Sequence, residues 1–367
     1  MEKIKINYDK SLISVSNSLI KYYGNKPFHN TFKKLDEILT KNYKNIILML
    51  LDGFGTKIIE KNLDENAFVR KNIFDKISSV FPPTTVAATT SLVTGKTSIE
   101  HGWLGWHLYL TNNDPSLTLF TNLDYYQDTY YPNIKVNDII GYKTFYQKIP
   151  NLDYDEIYPS FRPNGYKTFK EALNALESRI NSSSNHTFTY FYWDNPDYLM
   201  HEDGTNSKKV KELINDMNNE IESFYQKMND DTLLIIVADH GQIDIDPINL
   251  YDYQDLINCF DKKPSAEARS TMFYIKEDKK EKFTKLFNQY FSNDYILLTK
   301  EEALNIKLYG DGEVHPSIKY SMGDYIAISK TNKYFVSNPI NNLEFKGHHA
   351  GYTIDELEIP LIILSKK

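Results

Sequence analysis

Carboxylate and imidazole side chains follow three apolar runs of this chain, at the positions where buried strands are predicted to end. Oxygen and imidazole nitrogen are ligands that zinc accepts. An adjacent aspartate and histidine at the end of a buried strand are costly unless they are paired or bound to a metal. These side chains are therefore candidate metal ligands. In chain order they are Asp52, Asp197, His201, Asp239 and His240.

The spacing of Asp197 and His201 predicts that they act together. Pro196 suits the first turn of a helix, and residues four positions apart on a helix share one face. Both side chains could then bind one metal ion. Pairs with this spacing also occur by chance, so the interpretation depends on the other candidate ligands.

A proline turn precedes a candidate nucleophile. Pro82 and Pro83 fix the backbone after a β-rich approach, and Thr84 and Thr85 follow before a run of small residues that predicts a helix. A hydroxyl at a helix start lies beside free backbone N–H groups and the positive end of the helix dipole, where an anion is stabilised. This environment suits attack on a phosphate. An ordinary helix cap is the alternative interpretation.

Three continuous apolar runs position these side chains. Residues 45–51, 187–193 and 232–238 are typical of parallel strands buried on both faces. Open α/β sheets bind ligands at the carboxyl ends of such strands. A further strand at 359–364 closes the chain, and Pro360 near its start favours an edge or first-residue position.

The domain organisation is predicted from shifts in composition. We expect a catalytic core formed by residues 1–244 and 341–367, with an aromatic excursion at about 103–165. Residues 245–340 are predicted to form a small α/β insertion over the active site. The aromatic side chains of the excursion could stack on a ring of the substrate or form a local core.

Composition limits the possible functions. The chain has 367 residues and a net charge of −7, so no broad basic surface for duplex nucleic acid or acidic lipid is expected. Cys259 is the single cysteine, which excludes disulfides within the chain and thiolate metal clusters. No apolar stretch has membrane-spanning length, and the amino terminus has no long apolar run. We therefore expect a cytoplasmic protein without a membrane partner.

The motifs and their order resemble the alkaline phosphatase superfamily, specifically its nucleotide pyrophosphatase/phosphodiesterase-like branch. The resemblance spans about residues 45–364. It implies an α/β fold, a three-layer sandwich with a mostly parallel central sheet flanked by helices, together with a small α/β cap. The matching segments are Leu50 to Phe54, Val80 to Gly95, His101-Gly102, Asn195 to His201, Ala238 to Gly241, and Gly347 through Glu356 to Pro360.

The resemblance also implies the roles of individual residues. One zinc ion would be held by Asp197, His201 and His349, and a second by Asp52, Asp239, His240 and the Thr85 oxygen. Manganese could replace zinc. Thr85 would be the nucleophile. His349 is preferred to His348 because of its position in the family's glycine-rich loop, in which Ala350 replaces the usual glycine.

The resemblance implies a phosphodiesterase or nucleotide pyrophosphatase that acts on a small phosphate ester, which could be a nucleotide. Ala88 replaces the asparagine that family diesterases usually carry three positions after the nucleophile. A phosphomonoesterase, or a silent homologue that only binds metal or ligand, remains an alternative. Predicted substrate contacts are Trp103, Trp106, Arg269 and His315.

Overall fold

A computed structural model describes residues 5–112, 115–182, 185–338 and 345–366. Its strands form two six-stranded sheets and two short strand pairs. The strands are β1 (Asn45–Leu51), β2 (Ile73–Ser78), β3 (His107–Tyr109), β4 (Ser116–Thr118), β5 (Asp153–Ile157), β6 (Thr187–Trp193), β7 (Thr232–Val237), β8 (Ile243–Asp244), β9 (Asp246–Asn249), β10 (Phe260–Ala266), β11 (Ser270–Ile275), β12 (Tyr295–Thr299), β13 (Tyr325–Ser329), β14 (Lys333–Val336), β15 (Gly347–His348) and β16 (Glu358–Leu364).

Helices connect these strands and cover the first sheet. They are α1 (Leu12–Tyr22), α2 (Lys33–Leu39), α3 (Thr56–Asn62), α4 (Phe68–Lys71), α5 (Thr85–Thr94), α6 (Ser98–His101), α7 (Val136–Ile140), α8 (Phe169–Ser182), α9 (Asp197–Asp203), α10 (Lys208–Lys227), α11 (Gln254–Ile257), α12 (Lys280–Phe291), α13 (Lys300–Asn305), α14 (Ile318–Ser321) and α15 (Ile354–Leu357). None of the helices in the described ranges is long and apolar enough to cross a membrane.

The first sheet carries the three predicted apolar runs as neighbouring strands. Its order is β2-β16-β7-β1-β6-β5, and β1 pairs in parallel with both β6 and β7. Every residue of β1, β6 and β7 is buried, because helices cover both faces of the sheet. The predicted α/β fold class is confirmed, and the three carboxyl ends lie at one edge.

Pro360 does not lie on an edge strand, so that prediction is wrong. β16 lies between β2 and β7 and runs antiparallel to both. Its pairing with β7 begins at Leu361, one residue after Pro360. The proline therefore precedes the ladder on that side and removes no hydrogen bond from it.

The second sheet combines strands from two distant parts of the chain. Its order is β12-β13-β11-β10-β3-β4, with all neighbours antiparallel. Strands β3 and β4 come from the aromatic excursion, and the other four come from the segment 245–340. Residues from both segments share one apolar core, to which Trp103, Leu108, Met272 and Ile326 contribute.

Candidate active site

The carboxyl ends of β1, β6 and β7 bring the three predicted aspartates together. The Asp52 N–H donates to the Trp193 carbonyl at 2.9 Å, and the Asp197 N–H donates to the Asp52 carbonyl at 3.1 Å. The Gly53 N–H donates to Asp239 Oδ1 at 3.1 Å. Two main-chain hydrogen bonds and one from the Gly53 N–H to the Asp239 carboxylate therefore join the three strand ends and hold the carboxylates beside one another.

Asp197, His201 and His349 form one compact group of possible ligands. One ligand atom from each lies within 4.8 Å of the others. His201 Nε2 is 3.2 Å from Asp197 Oδ2, and His349 Nε2 is 3.9 Å from Asp197 Oδ1. His201 Nδ1 donates to the Gly347 carbonyl at 2.8 Å, and His349 Nδ1 donates to the Pro83 carbonyl at 3.2 Å. Because a carbonyl only accepts, both Nδ1 atoms carry the proton, which leaves each Nε2 lone pair for a metal.

A second group surrounds His240. Its Nε2 is 3.2 Å from Thr85 Oγ1, 3.4 Å from Asp52 Oδ1 and 3.5 Å from Asp239 Oδ2. His240 Nδ1 donates to the Gly241 carbonyl at 2.9 Å, so this Nε2 also presents a lone pair. Ligand atoms of Asp52, Asp197 and His240 lie within 4.8 Å of one another. The two groups are therefore adjacent and meet at Asp197.

The electrostatics of this cluster fit divalent cations. Burial and the neighbouring carboxylates Asp239 and Asp197 raise the pKa of Asp52 well above its usual value. Burial, with a contribution from Asp197, also raises the pKa of Asp239. Burial raises the pKa of Asp197 too, but the interactions with His201, His240 and His348 together outweigh burial, so the net shift is downward. Among the described residues, Asp197 Oδ1 and Asp239 Oδ2 are buried without a hydrogen-bond partner. Buried charges of this kind are normally paired or bound to a metal, so the donor set fits one.

Thr85 lies at the start of α5 within this cluster. Thr84 caps the helix in an extended conformation, and Thr85 is the first helical residue. The Thr85 hydroxyl lies 3.3 and 3.4 Å from the two oxygens of Asp52. The first N–H groups of an α-helix have no intrahelical acceptor and carry partial positive charge. The hydroxyl therefore lies between a carboxylate–imidazole cluster and a site that stabilises an anion.

Two residues outside the predicted ligand set support the site, and one of them, Glu267, is a candidate site neighbour in the sequence. The Tyr192 hydroxyl donates to Asp52 Oδ2. The Thr84 hydroxyl donates to Glu267 Oε1 at 2.7 Å, and burial raises the pKa of Glu267 to about 7. The sequence does not indicate a site role for Tyr192, because an aromatic residue in a β-rich run is equally typical of an ordinary core. Glu267 comes from a segment remote in sequence, so no spacing pattern connects it to Thr84.

An aromatic cavity of about 520 Å³, called the reaction cavity below, opens onto Thr85, Asp52 and Asp197. Several of its aromatic residues are unusually exposed for their size, which is typical of a binding surface. Trp106 is 41 % exposed and is the predicted substrate contact that lies in this cavity. The other exposed aromatic residues that line it are Phe120, Tyr142, Phe161 and Tyr198.

The other three predicted substrate contacts lie elsewhere. Trp103 is buried in the core of the second sheet and donates through Nε1 to the Ile140 carbonyl at 2.6 Å. His315 Nδ1 is 2.9 Å from Ser317 Oγ, and its ring lies beside Gly102. Arg269 is completely buried and forms a two-point ion pair with Glu356, at 2.8 and 2.9 Å. The assignments of Arg269 and His315 are corrected, because internal hydrogen bonds occupy both side chains. Trp103 lies outside the reaction cavity and borders a separate one.

Arg269 has a structural role instead, which gives a first prediction. Glu356 accepts from Arg269 and from the Gly351 N–H at 2.7 Å, so the pair anchors the loop that carries His349. We expect Glu356→Gln to lower the free energy of unfolding by about 3–5 kcal/mol, because it leaves the buried guanidinium uncompensated. Urea denaturation measures the change.

A matched control for this prediction is the surface pair formed by Lys76 and Glu60. Lys76 is 43 % exposed, so Lys76→Met should cost less than about 1 kcal/mol. If both variants lost the same small amount, the assigned role of the Arg269–Glu356 pair would be wrong.

The fold and the clustered site define a class of enzyme, the phosphoester hydrolases of the alkaline phosphatase superfamily. The family model "Type I phosphodiesterase / nucleotide pyrophosphatase" matches residues 46–352, which is most of the chain. The chain therefore belongs to the type I phosphodiesterase/nucleotide pyrophosphatase family. No curated protein sequence matches it.

Solved structures resemble the chain in fold, at low sequence identity. Murine ectonucleotide pyrophosphatase/phosphodiesterase 5 has a TM-score of 0.67 at 16 % identity, covering 87 % of this chain and 88 % of that one. An inactive threonine-to-alanine variant of the murine protein, in complex with AMP, has a TM-score of 0.65 at 16 % identity, covering 88 % of each chain. Phosphonoacetate hydrolase from Sinorhizobium meliloti 1021, in complex with phosphonoacetate, has a TM-score of 0.63 at 14 % identity, covering 86 % of this chain and 89 % of that one.

Proposed function

We propose that this protein is a phosphodiesterase that acts on small phosphate esters through Thr85 and two zinc ions. One ion would be held by Asp197, His201 and His349, and the other by Asp52, Asp239, His240 and the Thr85 oxygen. The observation that carries the proposal is the position of the Thr85 hydroxyl. It lies 3.2 Å from His240 Nε2 and 3.3 Å from Asp52 at a helix start.

In this proposal Thr85 forms a covalent intermediate. Its Oγ1 attacks phosphorus, the new O–P bond forms, and the bond to the departing ester oxygen breaks. The proton of the threonine hydroxyl is released to solvent, and the leaving group takes up a proton as the alcohol. Water then attacks phosphorus, the bond to Thr85 Oγ1 breaks, and the phosphate monoester is released as the threonine hydroxyl is restored. The metal ions, when bound, would supply Lewis-acid stabilisation and lower the pKa of the hydroxyl.

The start of α5 would stabilise the phosphoryl oxygens. Ala88 already donates its N–H to the Thr84 carbonyl at 2.9 Å, so it cannot supply the donor that asparagine gives in related diesterases. The preceding N–H groups of the first turn have no intrahelical acceptor. Arg269, a predicted substrate contact, cannot supply this donor because its guanidinium is bonded to Glu356. The helix start is therefore the donor that this proposal requires.

The charge of the reaction cavity favours a diester over a monoester. Asp52, Asp194 and Asp197 line it, and Arg162 is the one basic side chain among its lining residues in the described part of the chain. A diester carries one negative charge at neutral pH, whereas a monoester carries close to two. Because the metal ions would neutralise Asp52 and Asp197, Arg162 is the one remaining cation among the described lining residues, which leaves little positive charge to balance the second negative charge of a monoester.

This preference is tested with three chromogenic substrates. We expect bis(p-nitrophenyl) phosphate and the p-nitrophenyl ester of thymidine 5′-monophosphate to be hydrolysed more than about tenfold faster, in kcat/KM, than p-nitrophenyl phosphate. The thymidine ester also tests whether the aromatic cavity receives a nucleoside. Faster turnover of the monoester would favour a phosphomonoesterase.

The complex of the threonine-to-alanine variant of the murine phosphodiesterase with AMP supports both a threonine nucleophile and a nucleotide-like substrate by analogy. A silent homologue would lack turnover on every phosphoester and would purify without zinc. Metal analysis alongside the three assays separates that alternative from the proposed enzyme.

A further inference from the structure

A second cavity adjoins the reaction cavity. It has a volume of about 680 Å³. Phe120, Tyr142 and Arg162 line both cavities, so these three side chains form the boundary between them. A ligand that fills the reaction cavity would therefore contact side chains that also line the second cavity.

The two cavities have opposite charge. The reaction cavity is lined by the carboxylates of Asp52, Asp194 and Asp197. The second cavity is lined by Lys143 and Arg162, and none of its lining residues in the described ranges is a carboxylate. Burial, together with nearby Lys96 and Lys143, lowers the pKa of Lys148, which is consistent with a local excess of positive charge.

Arg162 differs from the other three arginines in its partners. Arg70 donates to the Leu63 carbonyl at 2.6 Å, Arg179 donates to Asp153 at 2.9 Å, and Arg269 pairs with Glu356. The Arg162 guanidinium lies over the Tyr158 ring, 5.3 Å from its centroid. No hydrogen bond or ion pair of this guanidinium occurs within the described residues. Stacking holds the group in place while its N–H donors remain available.

Ring contacts connect Arg162 to the reacting centre. The Tyr158 ring lies 5.9 Å from the Tyr192 ring, and the Tyr192 hydroxyl donates to Asp52. Arg162 is thus two ring contacts away from a carboxylate that adjoins the Thr85 hydroxyl. Because Arg162 and Thr85 line the same cavity, a substrate arm in that cavity can extend from the reacting phosphate toward the guanidinium.

We propose that this second cavity is an anion subsite, in which Arg162 and Lys143 bind a second negatively charged group on one arm of the substrate. The inference rests on the proposed phosphodiesterase function and specifies its substrate class. The preferred substrate would be a phosphodiester with a planar or apolar arm that ends in a carboxylate or a phosphate-type group. Arg162 gives a planar pair of donors for such a group, and Lys143 adds a point charge.

The test compares matched aryl methyl phosphodiesters. The aryl arm has one or two phenylene rings, which covers two lengths, and ends in a carboxylate, a phosphonate or an uncharged carboxamide. The selectivity is the ratio of kcat/KM for a charged arm to kcat/KM for the carboxamide arm of equal length. Liquid chromatography of the released phenol measures turnover for the wild-type protein, Arg162→Gln, Lys143→Gln and Lys285→Gln.

We expect the selectivity for the charged arm to fall about tenfold in Arg162→Gln and in Lys143→Gln. Comparison of the carboxylate and phosphonate arms shows which anion the subsite accepts. Lys285 is an exposed residue of α12 that lines neither cavity, so Lys285→Gln should keep the wild-type selectivity and controls for net charge.

Two results would overturn the inference, and they are distinguishable. Selectivity unchanged within twofold in both cavity variants, with active enzyme, would remove the anion subsite and leave the diesterase intact. A wild-type protein that hydrolyses none of the diesters would remove the proposed function and this inference with it.

Discussion

Replacement of Thr85 by alanine is expected to abolish turnover while the protein keeps its metal. The substitution removes the Oγ1 atom that lies 3.3 Å from Asp52 and 3.2 Å from His240. Without a nucleophile no covalent intermediate can form, so kcat should fall by about 10⁴-fold or more. The six carboxylate and imidazole ligands remain, so zinc should bind with a modest loss of affinity.

Two measurements are needed on the Thr85→Ala variant. Hydrolysis of bis(p-nitrophenyl) phosphate gives kcat, and elemental mass spectrometry gives the zinc content per chain. Thr85→Ser is the matched variant, because it keeps the hydroxyl, and it should keep measurable turnover. A Thr85→Ala protein with near-normal kcat and full zinc content would exclude the covalent route, and attack by water would replace it.

The central sheet and the clustering of the candidate ligands could be predicted because both depend on local patterns. A continuous apolar run predicts a strand buried on two faces, and an acidic residue directly after it lies at the carboxyl edge of the sheet. Parallel pairing of β1 with β6 and β7 then brings Asp52, Asp197 and Asp239 to one edge. The resemblance to a known superfamily added the role of His349, which no local pattern supplies, and selected Thr85 from the two threonines that follow the proline turn.

The substrate side of the site could not be predicted in the same way, because its contacts join segments that are remote in sequence. Arg269 is one of four arginines in the chain, which favoured it as a substrate contact. Its guanidinium is instead paired with Glu356, 87 positions later. Trp103 and Trp106 are three positions apart, but one lies in a core and the other lines the cavity. Residue type alone does not distinguish these environments.

The second sheet shows the same limitation at the level of the fold. Strand β3 pairs with β10 through His107 and Ala266, which are far apart in sequence. Nothing in the short run around His107 indicates this partner, since a three-residue strand carries little periodicity. The boundary between an excursion and an insertion therefore cannot be predicted from composition when both segments contribute to one sheet.

Replacement of Asp239 by asparagine should remove metal and activity together. The amide oxygen can still accept from the Gly53 and His240 N–H groups, at 3.1 and 3.0 Å in the present structure. The amide nitrogen, however, would take the place of Oδ2, which lies 3.5 Å from His240 Nε2 and has no hydrogen-bond partner in the part of the chain that the structure describes. A neutral donor in place of an anionic ligand should weaken zinc binding by about 100-fold or more. Loss of a residue that only hydrogen-bonds to a metal ligand already costs about 10–100-fold in metal affinity or activity.

The same variant should be more stable than the wild type when metal is absent. Burial and Asp197 raise the pKa of Asp239 in the folded protein, so the ionised carboxylate is disfavoured there relative to the unfolded chain. Protonated Asp239 makes its full contribution to the free energy of unfolding below the pKa that this residue has in the unfolded chain. That contribution is lost as pH rises through the higher pKa of Asp239 in the folded protein. Asparagine is neutral at every pH, so its advantage should grow across that window and persist at pH 7.

Thermal denaturation should therefore show that saturating zinc reverses the order of the unfolding temperatures of Asp239→Asn and the wild type. Metal-free Asp239→Asn should unfold at a higher temperature than metal-free wild type, and zinc should reverse the order, because it stabilises only the protein that binds it. Asp194→Asn is the matched control: Asp194 lines the reaction cavity but belongs to neither ligand group, so the zinc content of this variant should stay at the wild-type level. Two results together would contradict the assignment of Asp239 as a metal ligand: Asp239→Asn less stable than the wild type in the presence of a chelator, and full zinc content in the variant purified without chelator. The carboxylate would then be a structural hydrogen-bond acceptor.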